Sequence, residues 1–409
     1  MKLLFIHQNF PAQYKHLAPL LAADPANQVI ALGDAANVGR CAGWPGVRLL
    51  GYESPRGAAA ETHHYIRTLE KAVRRGQQVA RVCLTLREQG FVPDVICVHP
   101  GWGEALYLKD VYPDSAVLGY FEFFYHGRGI DVGFDPEYPP ALDDVFRVRT
   151  KNTVNLLSLQ ACDWGICPTH WQWGVHPAEY RNKISVIFDG VDTDVVKPNA
   201  STLVSLGEAG PTLTQADEVV TFVNRNLEPY RGWHSFIRAV PEIQRRRPKA
   251  RIVVLGADEV SYGAPPSEGT YREKYLAEVR DRLDPARLHF LGQVPYAQFV
   301  ALMQVSVVHV YLTYPFVLSW SMIEAMAAGA LVVGSATPPV QEVVEDGFNG
   351  LLVDFFSPAA IADAVDRVLD HPDRMATLRQ RARQTVVERY DLKRICLPKQ
   401  VELIRSLVP

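Results

Sequence analysis

Short β-branched and aliphatic runs alternate with helix-patterned runs along the whole chain, and the alternation begins afresh near residue 218. In the first series Lys2–Ile6, Gln28–Leu32, Asp94–Val98, Ala116–Tyr120 and Ile184–Ile187 read as strands. Residues 13–22, 63–89 and 152–161 between them read as helices. The second series sets strand runs at 219–223, 251–255, 307–311 and 330–334 against helical runs at 233–246, 271–283, 296–304 and 321–328. Continuous apolar runs suit strands buried on both faces, and alternation with helices implies βαβ units and parallel sheets. From about Pro198 to Asp217 large apolar residues thin out and Ser, Thr, Gly and Pro take over, which marks a linker and a new domain. The chain of 409 residues suits two domains at roughly 150 residues each or somewhat more. The expectation is an α/β protein of two Rossmann-like domains, 1–190 and 191–390, facing across a cleft. Residues 374–407 read as one strong helix. Ligands of open α/β sheets sit at the carboxyl ends of strands, so chemistry is expected there.

Charge and composition narrow the function classes. Basic and acidic residues number 42 and 45, a net charge of −3, which gives no electrostatic case for nucleic-acid binding. No uncharged apolar run reaches the roughly 18–20 residues that span a bilayer. The apolar start Met1–Ile6 stops at His7-Gln8-Asn9 with no small-residue cleavage site, so it reads as a buried strand rather than a leader. The six cysteines are scattered and form no CxxC pair, which favours reduced, buried thiols and a cytoplasmic protein over disulfides or zinc.

Two segments carry most of the chemistry. In the first, an apolar strand enters a tight loop at Tyr314-Pro315-Phe316-Val317, and a helix starts near Ser319. The backbone N–H groups of Leu318, Ser319 and Trp320 would then form an anion site, with Glu324 one turn further on to accept from ligand hydroxyls. In the second, Asn224-Arg225-Asn226-Leu227-Glu228-Pro229-Tyr230-Arg231-Gly232 follows the strand at 219–223. Two guanidinium groups fixed at a strand end suit a diphosphate.

With these motifs in order, the sequence resembles the family 4 glycosyltransferases, whose architecture is called GT-B. Arg225 and Arg231-Gly232 match the family's Arg…Lys-Gly pair, with Arg for Lys. Ser319 to Gly329 matches its Glu-Ala-Met-Ala-x-Gly helix. Pro339–Glu342 through Gly347–Val353 matches its E-x-(I/V)…D-G-x-N-G-L-L-V tail, and Asp189–Thr193 with Pro198 its interdomain signature. The resemblance is dense from about residue 184 to 400 and thinner before it, where His7–Pro11 and Val98–Glu104 also look similar.

The resemblance implies a C-terminal helix, 391–409, that returns to the first domain. It implies retaining transfer of a sugar from a nucleotide diphosphate sugar (UDP-, GDP- or ADP-linked) to a hydroxyl of a glycan, lipid-linked or small-molecule acceptor. Neither metal nor cofactor is required. Arg225 and Arg231 would stabilise the leaving diphosphate, Glu324 would hold the ribose, and the loop containing Gln293 and Val294 would face the base. The family's two glutamates stand eight residues apart; the position of the first is Phe316 here, so no carboxylate meets the donor sugar. That departure leaves open a nucleotide-sugar epimerase or hydrolase of the same fold, or a non-catalytic nucleotide-binding partner.

Acceptor-side residues are read from the first domain. Glu122 and His126, after the strand at 116–120, are candidates to polarise the acceptor hydroxyl. His99, at the end of another strand, is a further candidate to polarise or bind the acceptor, and Asn9 and Gln13, in the first strand–helix loop, are candidates to contact the acceptor or phosphate. Asp192-Thr193-Asp194 has metal-binding spacing but lies in the interdomain signature, which favours a turn. Gly101-Trp102-Gly103 lacks the third glycine of a dinucleotide fingerprint. The cluster Pro168–Trp173 reads as packing aromatics, with sugar stacking the alternative. Arg67, Lys71, Arg74 and Arg75 fall on one face of the helix at 63–89. That face suits peripheral contact with anionic lipid on the inner membrane surface, or simply solvent.

Overall fold

A computed structural model describes residues 1–207 and 210–408. The chain forms two compact units: Met1–Asp189 with the terminal segment from Lys393, and Gly190–Leu392.

The first unit is built on seven strands: β1 (Lys2–Ile6), β2 (Gln28–Asp34), β3 (Val47–Tyr52), β4 (Val95–Val98), β5 (Ala116–Tyr120), β6 (Trp164–Cys167) and β7 (Ile184–Val186). Their order is β3-β2-β1-β4-β5-β6-β7 and every pairing is parallel. Leu4 and Ile6 of β1, Ile30 and Leu32 of β2, and Ile96 and Val98 of β4 are buried against Val79, Cys83 and Leu86 of the helix Arg67–Glu88. Each such side chain contributes roughly 1.5–3 kcal/mol on burial, enough that polar replacements would not be tolerated here.

The second unit carries a short antiparallel pair, β8 (Val204–Ser205) and β9 (Thr212–Leu213), and a six-stranded parallel sheet. That sheet contains β10 (Val219–Asn226), β11 (Arg251–Ala257), β12 (Leu288–Gly292), β13 (Val308–Tyr311), β14 (Leu331–Ser335) and β15 (Leu351–Val353), in the order β12-β11-β10-β13-β14-β15. The helix Trp233–Arg246 starts where the sequence pattern places it, because Gly232 turns the chain at φ 71°. A Cβ at Gly232 would run into Leu312, so the turn has no room for another residue.

The helix expected over 374–407 is in fact two, Pro372–Arg389 and Leu397–Ser406. Between them Tyr390 O accepts from Val191 N at 2.8 Å and Leu392 N donates back to Val191 O at 2.9 Å. Asp391, 1% exposed, accepts from the Thr193 hydroxyl. Helical periodicity cannot register this backbone pairing, which stitches the interdomain signature to the chain's return. The last helix then belongs to the first unit, where Gln400 Nε2 donates to Phe188 O at 3.1 Å. The two-domain GT-B expectation thus has its counterpart in two parallel α/β units, with the C-terminal helix on the first.

Candidate active site

In the second unit the strand order reverses between β10 and β13, and such reversals open a crevice at the strands' carboxyl ends. Arg225 sits there on β10 and is exposed. Arg231, six residues on, is only 7% exposed. Its Nη1 donates to Thr313 Oγ1 at 3.0 Å and to the Val317 carbonyl at 2.8 Å, which fixes the loop after β13. Its guanidinium lies 5.2 Å from the Tyr262 ring centroid and 5.7 Å from that of Phe316, within cation–π range. Burial works against this charge, yet Tyr311, Tyr262 and Glu228 more than offset it and the pKa rises.

Phe316 is 3% exposed and closes an aromatic cage around that arginine. Its ring meets Tyr262 at 4.7 Å and Tyr230 at 5.6 Å, and Tyr230 stacks on Tyr314 at 4.6 Å. Glu228 places the cage wall: its Oε2 accepts from Ser261 N at 2.9 Å and Tyr262 N at 3.0 Å. Burial raises the Glu228 carboxyl despite those two bonds and the nearby arginines.

The helix Trp320–Ala328 begins at Ser319, whose Oγ accepts from Ser321 N, and ends at Gly329 with φ 95°. Glu324 is 8% exposed and accepts from Tyr296 Oη at 2.7 Å. Burial and the Glu324 carboxylate push the Tyr296 phenol up. Tyr296 heads the helix that follows Gln293 and Val294, so this contact ties their loop to Glu324. Gln293 is exposed and Val294 half-buried.

The first unit has its own reversal, between β1 and β4. His7 follows β1 and His99 follows β4, 1% and 3% exposed, with ring centroids 4.9 Å apart. His99 lies between Trp102, stacked at 4.5 Å, and Tyr120 at 5.6 Å. Its Nε2 stands 3.8 Å from Glu122 Oε2. Gln13 Oε1 is buried beside His7, whereas Asn9 is exposed and its Oδ1 accepts from Asn37 Nδ2 at 2.8 Å. The loop carrying Glu122 is clamped at both ends. Gln172 Nε2 donates to Glu122 O at 2.7 Å, and Asn152 Nδ2 donates to Tyr125 O at 2.6 Å.

Two family models match the chain: "Glycosyl transferase family 4 group" over residues 25–196 and "Glycosyl transferases group 1" over residues 210–385. The chain belongs to the family 4 glycosyltransferases. Among curated relatives, the D-inositol 3-phosphate glycosyltransferase of Corynebacterium urealyticum is 28% identical over 229 residues, which is 56% of this chain and 52% of that one. The enzyme of the same name from Corynebacterium efficiens is 31% identical over 191 residues, 46% of this chain and 43% of that one. The chain thus spans about half the length of the curated relatives it matches. Sucrose-phosphate synthase from Thermosynechococcus elongatus shares the fold over the whole chain, with a TM-score of 0.74, 19% identity and coverage of 100% of this chain and 99% of that one. The Anabaena protein HepE, solved with UDP-glucose, matches at a TM-score of 0.66 and 17% identity over 99% of both chains.

Within this glycosyltransferase, Arg225 on β10, Arg231 in the turn after it, Leu318 and Ser319 in the loop after β13, and Trp320 and Glu324 in the helix Trp320–Ala328 all lie in the second unit. The Ser319 amide, however, is not free for an anion: it donates to Tyr311 Oη at 2.8 Å. His126 also departs from expectation, because its Nε2 donates to the Val175 carbonyl at 2.8 Å and is spent on holding its loop. The basic helix face is largely consumed. Arg67 donates to Thr62 O and Ala60 O, Arg74 pairs with Glu70, and Arg75 turns inward to the Trp102 carbonyl and Glu104. Lys71 remains exposed. Asp192 and Asp194 form a turn, Asp194 N donating to Asp192 Oδ1 at 3.2 Å, and all six cysteines are free. Among the described residues, no helix is long and apolar enough to cross a membrane.

Sequence reasoning missed Tyr262, Thr313, Glu228, His7 and Trp102. The first three act across the sheet, through contacts that no local pattern encodes. The other two had a signal: each lies in or beside a turn that closes a buried strand at the reversal of strand order.

Proposed function

We propose that this protein is a retaining glycosyltransferase that moves a sugar from a nucleotide diphosphate sugar to an acceptor hydroxyl. The observation that carries it is the pairing of exposed Arg225 with buried, rigidly held Arg231 at the carboxyl end of β10, one loop from Glu324. A diphosphate leaving group gains charge as the anomeric C–O bond breaks. Guanidinium groups fixed in advance stabilise that charge more in the transition state than in the bound donor. The acceptor oxygen bonds to the anomeric carbon on the same face. The bonding electrons leave with the diphosphate, whose oxygen takes the acceptor's proton. Glu324 holds the ribose, the Gln293–Val294 loop faces the base, and Glu122 with His99 orients the acceptor. The scheme needs no metal. UDP-sugars are the first donors to test, since HepE, of the same fold, was solved with UDP and UDP-glucose.

Phe316 favours a second reading, a protein that binds nucleotide without transferring sugar, because the cage offers the donor sugar no carboxylate. UDP-, GDP- and ADP-sugars incubated with and without a glycoside acceptor separate the readings. Acceptor-dependent release of nucleoside diphosphate, with the donor's anomeric configuration kept in the product by NMR, supports transfer. Release without acceptor points to a hydrolase or epimerase, and binding without release to the non-catalytic reading.

A further inference from the structure

We propose that Arg383 is a positioning residue for the nucleotide site, holding the helix that carries Glu324 against the segment by which the chain enters the second unit. This rests on the reading of Glu324 as a nucleotide ligand given above, and Arg383 acts through that carboxylate.

Arg383 lies half-buried on the helix Pro372–Arg389, and its three hydrogen bonds go to backbone carbonyls rather than to a carboxylate. Nη1 donates to Val196 O at 3.1 Å and to Ala327 O at 2.5 Å, and Nη2 donates to Thr193 O at 3.1 Å. Burial lowers its pKa, against smaller opposite effects of Asp194 and Asp391. A guanidinium buried without a close counter-charge is costly, and where only packing is needed an apolar side chain does better. What the planar fork alone can do is meet carbonyls from separate pieces of chain at once. Two of the three lie just inside the second unit, which begins at Gly190, and the third lies at the end of the Glu324 helix.

The last carbonyls of a helix have no partner within it. In Trp320–Ala328 those of Ala325 and Met326 are met by the amides of Ala330 and Gly329, and that of Ala327 by Arg383. Ala327 stands three residues after Glu324, so this bond holds the turn that carries the carboxylate. A cation also suits the negative end of the helix dipole. The entry segment lies close against the same helix end, since a Cβ at Gly329 would come within 3.1 Å of Pro198 Cγ.

Gln304 makes a second tie. It sits in the last turn of the helix Tyr296–Val305, where its Nε2 donates to Lys197 O at 2.8 Å and its Oε1 accepts from the Thr202 hydroxyl at 2.8 Å. At the head of that helix Tyr296 Oη donates to Glu324 at 2.7 Å. Segment 193–198, the two helices and the Tyr296–Glu324 bond therefore close into a frame, with Glu324 on one side and Arg383 on the other. The segment is itself held by the pairing of Val191 with Tyr390 and Leu392 and by the Thr193 hydroxyl on Asp391. Removing Arg383 opens the frame and frees the Glu324 turn to shift.

Isothermal titration of the full chain with UDP, GDP, ADP, dTDP and CDP, beside hydrogen exchange of the 320–328 amides, tests this. Arg383→Met removes the three bonds and keeps much of the volume. It should bind the nucleotide about tenfold more weakly and exchange the 320–328 amides about tenfold faster relative to those of β10. Arg383→Lys should regain part of both. Because Arg383 acts through Glu324, the double variant with Glu324→Gln should bind no more weakly than Glu324→Gln alone. Arg247→Met is the control for plain instability: it cuts ion pairs with Asp366 and Asp370 before the amino end of β11, and should leave nucleotide affinity within about twofold. If calorimetry shows Arg383→Met unfolded, Gln304→Ala, which cuts the second tie, must show the same weakening and faster exchange. Unchanged affinity in Arg383→Met, additive losses in the double variant, or an equal loss in Arg247→Met would overturn the proposal and leave the donor site standing. A wild type that binds none of the five nucleotides would remove the donor reading itself, and this proposal with it.

Discussion

Replacing each arginine of the pair by methionine separates two roles that the sequence motif merges. Arg231 is 7% exposed and makes two hydrogen bonds from its charged Nη1, to Thr313 and the Val317 carbonyl. Hydrogen bonds to charged groups are worth about 1.5–3 kcal/mol each, and methionine preserves much of the packed volume but leaves the buried carbonyl unmet. Allowing for the desolvation that the guanidinium no longer suffers, Arg231→Met should cost the second unit about 3 kcal/mol. For a unit of this size that lowers Tm by roughly 6–12 °C. Arg225 is exposed, and Arg225→Met should change stability by no more than about 0.5 kcal/mol. Both variants should bind nucleoside diphosphate about 10- to 100-fold more weakly, the loss of one charge-assisted contact to phosphate. Differential scanning calorimetry gives the first quantity and isothermal titration the second. Equal Tm losses in the two variants, or an Arg231→Met protein as stable as wild type, would refute the division of labour.

Other expectations follow from the same geometry. Glu324→Gln keeps the shape that meets Tyr296 but removes the charge, so it should weaken nucleoside diphosphate binding about tenfold while binding of the 2′,3′-dideoxy analogue stays unchanged in titration. Gly232→Ala should unfold the second unit at a Tm at least several degrees lower, because φ 71° and the Leu312 side chain leave a Cβ no place. Burial depresses His176 to about 4 and His309 to about 3. Below the unfolded value of 6.5 the unfolded chain binds protons that these folded sites refuse, so stability is full above that pH and falls as pH drops towards 4. At pH 5 each should cost about 2 kcal/mol, read as a lower urea midpoint than at pH 7.

The sheet interiors were legible in the sequence because strands buried on both faces spell continuous apolar runs, as in β1, β4, β10 and β13. Of the strands that escaped, β3, β12 and β15 are edges of their sheets, β6 is four residues long, and β8 and β9 are a two-residue pair inside the stretch read as a linker; β7, also an edge, was legible. Edge strands bury one side, so β3 carries Arg48 and Gly51 within its span. The motifs proposed to hold the donor could be placed on their elements from the sequence because each is local: a strand end, a turn and a helix start. What tied them together could not. The link from Arg231 to Thr313 and Val317 spans more than eighty residues of chain, and the clamp of Glu228 on Ser261 and Tyr262 joins two loops. His126 misled because a histidine after a strand signals position but not partner, and its partner, Val175 O, lies forty-nine residues away.

The central claim is that the second unit holds a nucleotide diphosphate through Arg225, Arg231 and Glu324. Isothermal titration of wild type with UDP, GDP, ADP, dTDP and CDP, repeated on Arg225→Met, tests it most directly. The account predicts saturable binding of one of these nucleotides, weakened at least tenfold in a variant whose Tm is unchanged. Binding that is equally tight in Arg225→Met, or no binding of any of the five, would contradict it.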